Sequence, residues 1–288
     1  MDGYIFPESD LALERRRADT TVRGVDYRRE RRDCFLWERI SITSEEGERS
    51  IGRPQGIYDT LTMPRMDTLD TDTLEEASEE LSRELCRMLD KSGIYPERLL
   101  VVGLGNRALT PDSIGPKCAE LVTPTMHIMG FDREMFEALE CSEIAVVSPG
   151  VTAESGIDAA VTVRGICDRI RPSAVIAIDA LASRASSRLG STVQVCNTGI
   201  FPGSGIGNRR EALNLKTLGV PVIAIGVPTV IDTRIFINEE LSKRGEEARS
   251  QSGGSEVMFV SPRESDAITD TAAKIIAGAI NQAFGTQM

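Results

Sequence analysis

The chain has 288 residues, with 44 Asp and Glu against 33 Lys and Arg, which gives a net charge of −11 at pH 7. That balance argues against free nucleic acid or an anionic membrane as a direct partner. Nothing longer than a strand is continuously apolar and the start of the chain lacks a basic segment followed by an apolar run, so neither a membrane span nor a secretory signal is expected.

Six scattered cysteines without a CxxC pair fit reduced thiols in a cytoplasmic compartment. His127 is the only histidine, which restricts the catalytic chemistry. Residues 1–32 are polar and charged, with Arg15-Arg16-Arg17 and Arg28-Arg29-Glu30-Arg31-Arg32, and predict an arm rather than part of a core. Within the arm, Ser9-Asp10-Leu11-Ala12-Leu13-Glu14 sets a small apolar cluster between two acids. It reads either as an extended segment that a protease could take or as a short helix capped by Ser9. Strand-like content follows over residues 32–43 and 52–63. Leu74, Ala77, Leu81, Leu85, Met88 and Leu89 recur at spacings of three and four and predict an amphipathic helix over 73–89, ended by Gly93.

Next, Leu99-Leu100-Val101-Val102 reads as a buried strand that breaks at Gly103-Leu104-Gly105-Asn106. Thr110-Pro111 reads as a cap with proline at the first helical position, placing Asp112 in a first helical turn just beyond a strand end. In open parallel sheets that edge holds the ligand crevice, although an acid there serves a helix dipole equally well. A strand at 144–147, a crossover helix at 158–170, and a buried strand at 174–179 with Asp179 at its carboxyl end follow. Asp179 has an equally simple reading as a loop-bonding acid. Further strands are expected at 192–196, 222–227 and 257–260, with a glycine-rich loop at 199–210 and a closing helix at 265–284. Strands alternating with helices predict a three-layer α/β/α fold with a mostly parallel central sheet.

Several chemistries fail on residue type. A serine triad lacks a suitable histidine, and Ser204 lacks the Gly-x-Ser-x-Gly elbow. No His/Cys cluster predicts zinc, so no metal site is assigned, although an all-carboxylate site stays open. Gly103, Gly105 and Asn106 fit a dinucleotide fingerprint loosely, but Pro111 and Pro116 interrupt the helix that should receive the pyrophosphate. The loop with Gly203, Ser204, Gly205 and Gly207 could cradle an anion or pack close to a substrate. What remains is Asp112 with Asp179, two carboxylates able to act as acid and base together without a cofactor.

The stretches Gly103-Leu104-Gly105-Asn106, Thr110-Pro111-Asp112, Ser148-Pro149-Gly150-Val151 and Ala177-Ile178-Asp179-Ala180-Leu181-Ala182-Ser183-Arg184 resemble the germination protease family of endospore-forming bacteria. The resemblance continues through Asn197-Thr198-Gly199-Ile200, Pro202-Gly203-Ser204-Gly205-Ile206-Gly207-Asn208 and residues 218–230. It implies an endopeptidase of the spore core that degrades small acid-soluble spore proteins at germination by a metal-free aspartic mechanism, with its two aspartates at Asp112 and Asp179. It also implies a fold similar to hydrogenase maturation endopeptidases, a tetramer, and a zymogen cut between Asp10 and Leu11. The expected organisation is a propeptide at 1–10 and one peptidase domain at 11–288, with 11–95 appended to a core at 96–288. Asn197 stands where the family carries an acid, and Phe201 where it carries a histidine. Two rival readings keep the same residues: a metal-dependent maturation peptidase that ligates through Asp112 and Asp179, and a nonenzymatic module binding anions or nucleotides on its glycine-rich loops.

Overall fold

A computed structural model describes residues 9–15, 22–202, 211–245 and 258–285. Among them, β1 (Val25–Arg32), β2 (Phe35–Ile42), β3 (Gly56–Thr62), β4 (Arg98–Gly103), β5 (Glu143–Val147), β6 (Ala174–Ser183), β7 (Thr192–Cys196), β8 (Val222–Asp232) and β9 (Phe259–Val260) form one sheet. Its order is β1-β2-β3-β7-β8-β6-β4-β5, with β9 alongside β8. The β8-β6-β4-β5 half is parallel, while β1, β2, β3, β7 and β9 join antiparallel.

The two faces of the sheet follow from period-two alternation. Along β4, Leu99 and Val101 enter one core, together with Leu81, Leu85 and Met88 of the Thr71–Lys91 helix and Ile275, Ile276 and Ile280 of the Ser265–Phe284 helix. Leu100 and Val102 enter the opposite core, with Val163 of the Ala159–Ile170 helix and with Leu11 and Ala12. The result is helix, sheet and helix in three layers. The Thr71–Lys91 helix starts where Asp70 accepts the Thr73 N–H at 2.9 Å, and Gly93 follows its end at φ +65°. The Ala159–Ile170 helix is capped by Asp158, which accepts from Ala160 N–H.

The structure corrects several sequence expectations. Residues 25–32 are not arm but strand. They lie at the sheet edge, where only Val25 and Tyr27 pack against the core and residues 28–32 are exposed, so the apolar alternation of β1 is too short to read and its arginines face water. Asp179 is not at the end of its strand either, because β6 continues four residues further, to Ser183, paired with the long β8. It nevertheless lies one residue beyond the last β4 partner, Gly103 opposite Ile178, so it clears the edge of that neighbour. Thr110 does not cap a helix: residues Thr110–Asp112 form a 3-10 turn, the Thr110 hydroxyl donates to Asp266, and the α-helix runs Ile114–Leu121. The helices Met126–Phe131, Arg133–Ala138 and Thr233–Lys243 have no counterpart in the sequence reading, being short or largely exposed. Among the described residues no helix is long and apolar enough to cross a membrane.

Candidate active site

The β4 strand delivers a tight connection. Leu104 N–H donates to Ile178 O at 2.8 Å, tying the exit of β4 to β6. The chain then turns at Gly105, whose φ is +113° and where a Cβ would fall 2.1 Å from the main-chain oxygen of Asp112. A second close approach is at Gly115, where a Cβ would meet the backbone of Leu104 at 2.1 Å. These two glycines let the turn carrying Asp112 press against the strand end. Asn106 N–H donates to Asp112 Oδ2 at 2.9 Å and to Asp112 O at 3.0 Å, while Asn106 Oδ1 accepts from Ala108 N–H at 2.8 Å.

Asp179 is 5% exposed, and its Oδ1 accepts the N–H of Ala180 at 2.9 Å. It sits on the sheet face that carries Val175, Ala177 and Leu181. Asp112 and Asp179 line one cavity of about 300 Å³, whose walls include Leu109, Pro111, Leu181, Val230 and Phe259. A mostly apolar wall with a few convergent polar groups is the make-up of a ligand-binding pocket. Thr229 is also in the wall, and its buried hydroxyl has no hydrogen-bond partner among the described residues.

The third acid of this cavity is Asp10. Its N–H donates to Ala182 O at 3.1 Å, and its Oδ2 accepts from Ala182 N–H at 3.0 Å. Gln194 clamps the same segment, accepting from Ala12 N–H at 2.8 Å and donating to Asp10 O at 3.3 Å. Arg53 donates to Ser9 O at 2.8 Å and lies 3.6 Å from Asp10 Oδ1. Leu11 is fully buried, and Ala12–Arg15 closes a single helical turn. Ser9 accepts from Leu11 N–H at 3.1 Å, a bond that lies ahead of the Ala12–Arg15 turn, so Ser9 precedes this turn rather than capping it. A second, smaller cavity shares Asp10 and Asp179 with the first and is lined also by Arg53, Tyr58, Gln194, Thr198 and Phe201.

Of the other residues singled out by sequence, Gly103 ends β4, and Gly105 and Asn106 build the turn beneath Asp112. Gly203, Ser204, Gly205 and Gly207 lie outside the described residues. Asn197 works in the sheet: its Oδ1 accepts Ile57 N–H at 2.8 Å and its Nδ2 donates to Ser92 Oγ at 3.3 Å. Phe201 is 41% exposed. His127 is exposed on its short helix and lines neither cavity. Cys196 does line the smaller cavity, but burial pushes its thiol up, which leaves it a weak nucleophile. Among the described residues no group of three or more His, Cys, Asp and Glu is placed to hold a metal ion. Sequence reasoning missed Arg53, Gln194 and Thr229. Each is a single residue on a strand or turn; the docking of residues 9–14 gives Arg53 and Gln194 their role, and Thr229 enters only through its place in the cavity wall.

A family model described as germination protease matches residues 7–242. A germination protease of Caldanaerobacter subterraneus subsp. tengcongensis is 38% identical over 256 residues, spanning 87% of this chain and 77% of the relative. One from Clostridium acetobutylicum is 34% identical over 309 residues, spanning 96% and 94%. Among solved structures, a [NiFe] hydrogenase maturation protease, HycI, from Thermococcus kodakarensis KOD1 aligns with 69% of this chain and 99% of its own at 16% identity and a TM-score of 0.38.

Proposed function

The chain belongs to the germination protease family, and on that premise we propose that it is an endopeptidase that opens the degradation of small acid-soluble spore proteins at germination, with Asp112 and Asp179 as its catalytic pair. The observation that carries this reading is that the two carboxylates wall one cavity together with Asp10 of an acid-flanked apolar segment. Two carboxylates in one small site resist carrying two negative charges, so the pair shares a proton. The ionised member takes a proton from water as the water oxygen attacks the scissile carbonyl carbon, and the protonated member donates a hydrogen bond to the carbonyl oxygen. Collapse of the tetrahedral intermediate breaks the C–N bond, and the leaving nitrogen takes up the proton abstracted from water. Ala180 N–H and Asn106 N–H hold the two carboxylates in orientation without a histidine or thiol.

The same cleft supports self-processing. Residues 1–10 are the propeptide in this reading, and the bond after Asp10 is the first one cut. Its support is the seating of Asp10 in the cavity wall and the hydrogen bond of Gln194 to the Asp10 carbonyl oxygen.

The test is intact mass after the full-length protein is incubated with a small acid-soluble spore protein. Cleavage on the carboxyl side of an acid that precedes an apolar residue, with loss of residues 1–10 from the enzyme, is the expected result. Activity lost on chelation and restored by a divalent ion would transfer the aspartates to the metal-ligand reading.

A further inference from the structure

Gln194, Gly226 and Asp179 stand in one row across three neighbouring strands. Gln194 of β7 is the direct partner of Gly226 on β8, which is in turn the direct partner of Asp179 on β6. Direct partners share a face of the sheet, so the Gln194 and Asp179 side chains rise on the same side with their Cα atoms two strand spacings, about 10 Å, apart. The residue between them has no side chain, and all three line the smaller cavity together with Asp10. The amide of Gln194 grips the docked segment at two points: Nε2 donates to the Asp10 carbonyl oxygen at 3.3 Å, and Oε1 accepts the Ala12 N–H at 2.8 Å. An amide oxygen only accepts and an amide NH2 only donates, so the bond from Ala12 fixes which end of the side chain meets the carbonyl. Gln194 is 7% exposed, and both bonds are therefore made largely out of water, where they are electrostatically stronger.

Resting on the proposed peptidase reading, we infer that Gln194 is a third catalytic residue, whose side-chain N–H receives the negative charge that develops on the carbonyl oxygen of the bond being cut. The Asp10 carbonyl is the acyl group of the bond to Leu11, and Gln194 already meets its oxygen. As the water oxygen bonds to the carbonyl carbon, the C=O π pair moves onto that oxygen and the hydrogen bond from Nε2 strengthens. When the C–N bond breaks, the pair returns to re-form C=O and the leaving nitrogen takes the proton abstracted from water. Gln194 itself neither gains nor loses a proton. The carbonyl oxygen has two lone pairs, room for Gln194 and for the protonated aspartate together. A donor that is buried and anchored before the reaction needs no reorganisation when charge appears, which is the condition under which such a contact lowers the barrier. The anchor is the main chain of the bound segment two residues beyond the carbonyl, so seating the peptide is what aims the donor.

The test uses two fluorescent peptides copying residues 5–16, one ordinary and one with a thioamide between residues 10 and 11, so that a single oxygen becomes sulfur, a weak acceptor. Both are given to the full-length parent, to Gln194→Met, which removes donor and acceptor at similar volume, and to Gln194→Glu, which keeps an acceptor for the N–H two residues on and removes the donor. The protein's own segment competes equally with both peptides and leaves their ratio unaffected. On the ordinary peptide, kcat is expected to fall about a hundredfold in each variant. The ratio of kcat/KM between ordinary and thioamide peptide is expected to shrink about tenfold or more, because the variants no longer have the donor that tells oxygen from sulfur. An unchanged ratio overturns the inference whatever activity is lost, since a merely structural role lowers both rates alike, and leaves the peptidase reading intact; Gln194→Glu decides if Gln194→Met does not fold. If the parent cuts neither peptide, the peptidase reading falls and anisotropy decides the contact by itself. Parent binding of the ordinary peptide about fivefold more tightly, with both variants binding the two alike, supports the donor. Equal binding by the parent, or binding of neither peptide, overturns it.

Discussion

The backbone N–H of Asn106 meets Asp112 twice, 2.9 Å from its Oδ2 and 3.0 Å from its main-chain oxygen. The carboxylate cannot swing away from the β4 edge without breaking the turn that carries it, so the position of Asp112 depends on the backbone of a neighbouring turn. Gly105 makes that approach possible. Gly105→Ala places a Cβ 2.1 Å from Asp112 O on a residue held at φ +113°. We expect a stability loss of about 2 kcal/mol, from backbone strain and the forced shift. Peptidase activity should fall about a hundredfold through misplacement of the carboxylate. Urea unfolding and kcat/KM on a spore-protein substrate measure the two; activity retained under a clear loss of stability would separate the turn from the chemistry.

The N-terminal segment is held by packing as well as by hydrogen bonds, since Leu11 and Ala12 have no exposed surface. Leu11→Ala should cost its docking about 2–5 kcal/mol, the usual range for a buried leucine truncated to alanine. The opening that results is local, so the expected readout is faster tryptic cleavage after Arg15 with a much smaller effect on global unfolding. Equal cleavage rates in parent and variant would contradict the packed docking.

Between β2, β3 and the Thr71–Lys91 helix lies a buried charge network in which Asp59 meets Arg39 and Arg87, and both arginines also meet Glu84. Burial and the adjoining Glu84 push Asp59 up to about 7. Against its own burial, hydrogen bonds from Arg87 and Asp59 and the charge of both arginines hold Glu84 below the usual range. For Asp59 the folded state binds the proton more tightly than the unfolded state. Its contribution to stability is therefore present in full below the unfolded value near 3.8 and declines as pH rises toward 7. The stability gap between parent and Asp59→Asn should accordingly be smaller at pH 8 than at pH 5 in urea unfolding. A gap that widens with pH would reverse the assigned direction.

Asn197 holds the end of β3 through Ile57 N–H and reaches Ser92 through its amide. Asn197→Asp keeps the acceptor for Ile57 and changes only the contact with a hydroxyl that can itself donate. Peptidase kcat/KM should stay within about twofold of the parent, with stability moved by less than about 1 kcal/mol. A large loss of activity with unchanged stability would give position 197 a titrating role in the site.

The elements legible in the sequence are those whose burial leaves a periodic trace. The Thr71–Lys91 and Ser265–Phe284 helices carry apolar stripes, and β4, β6 and β8 are apolar almost throughout because both their faces are covered. The edge strand β1 leaves no such trace, so its arginines read as arm. Glycine spacing and Pro111 marked the turn around Asp112, and the apolar run before Asp179 marked its strand, but not that β6 continues past it. That continuation depends on β8 being long enough to pair as far as Ser183, a relation between distant segments that no local pattern carries. Arg53 and Gln194 leave no trace for the same reason, since they meet residues 9–12 only in the folded chain.

The most direct test of the central claim is the rate at which a spore-protein substrate is cut by Asp112→Asn and Asp179→Asn, each first shown to unfold as cooperatively as the parent. Either change removes one half of the acid–base pair, and each is predicted to lower kcat/KM by about 10³-fold or more with little effect on KM. If either folded variant cuts at a rate near that of the parent, the reaction does not run on this pair of aspartates.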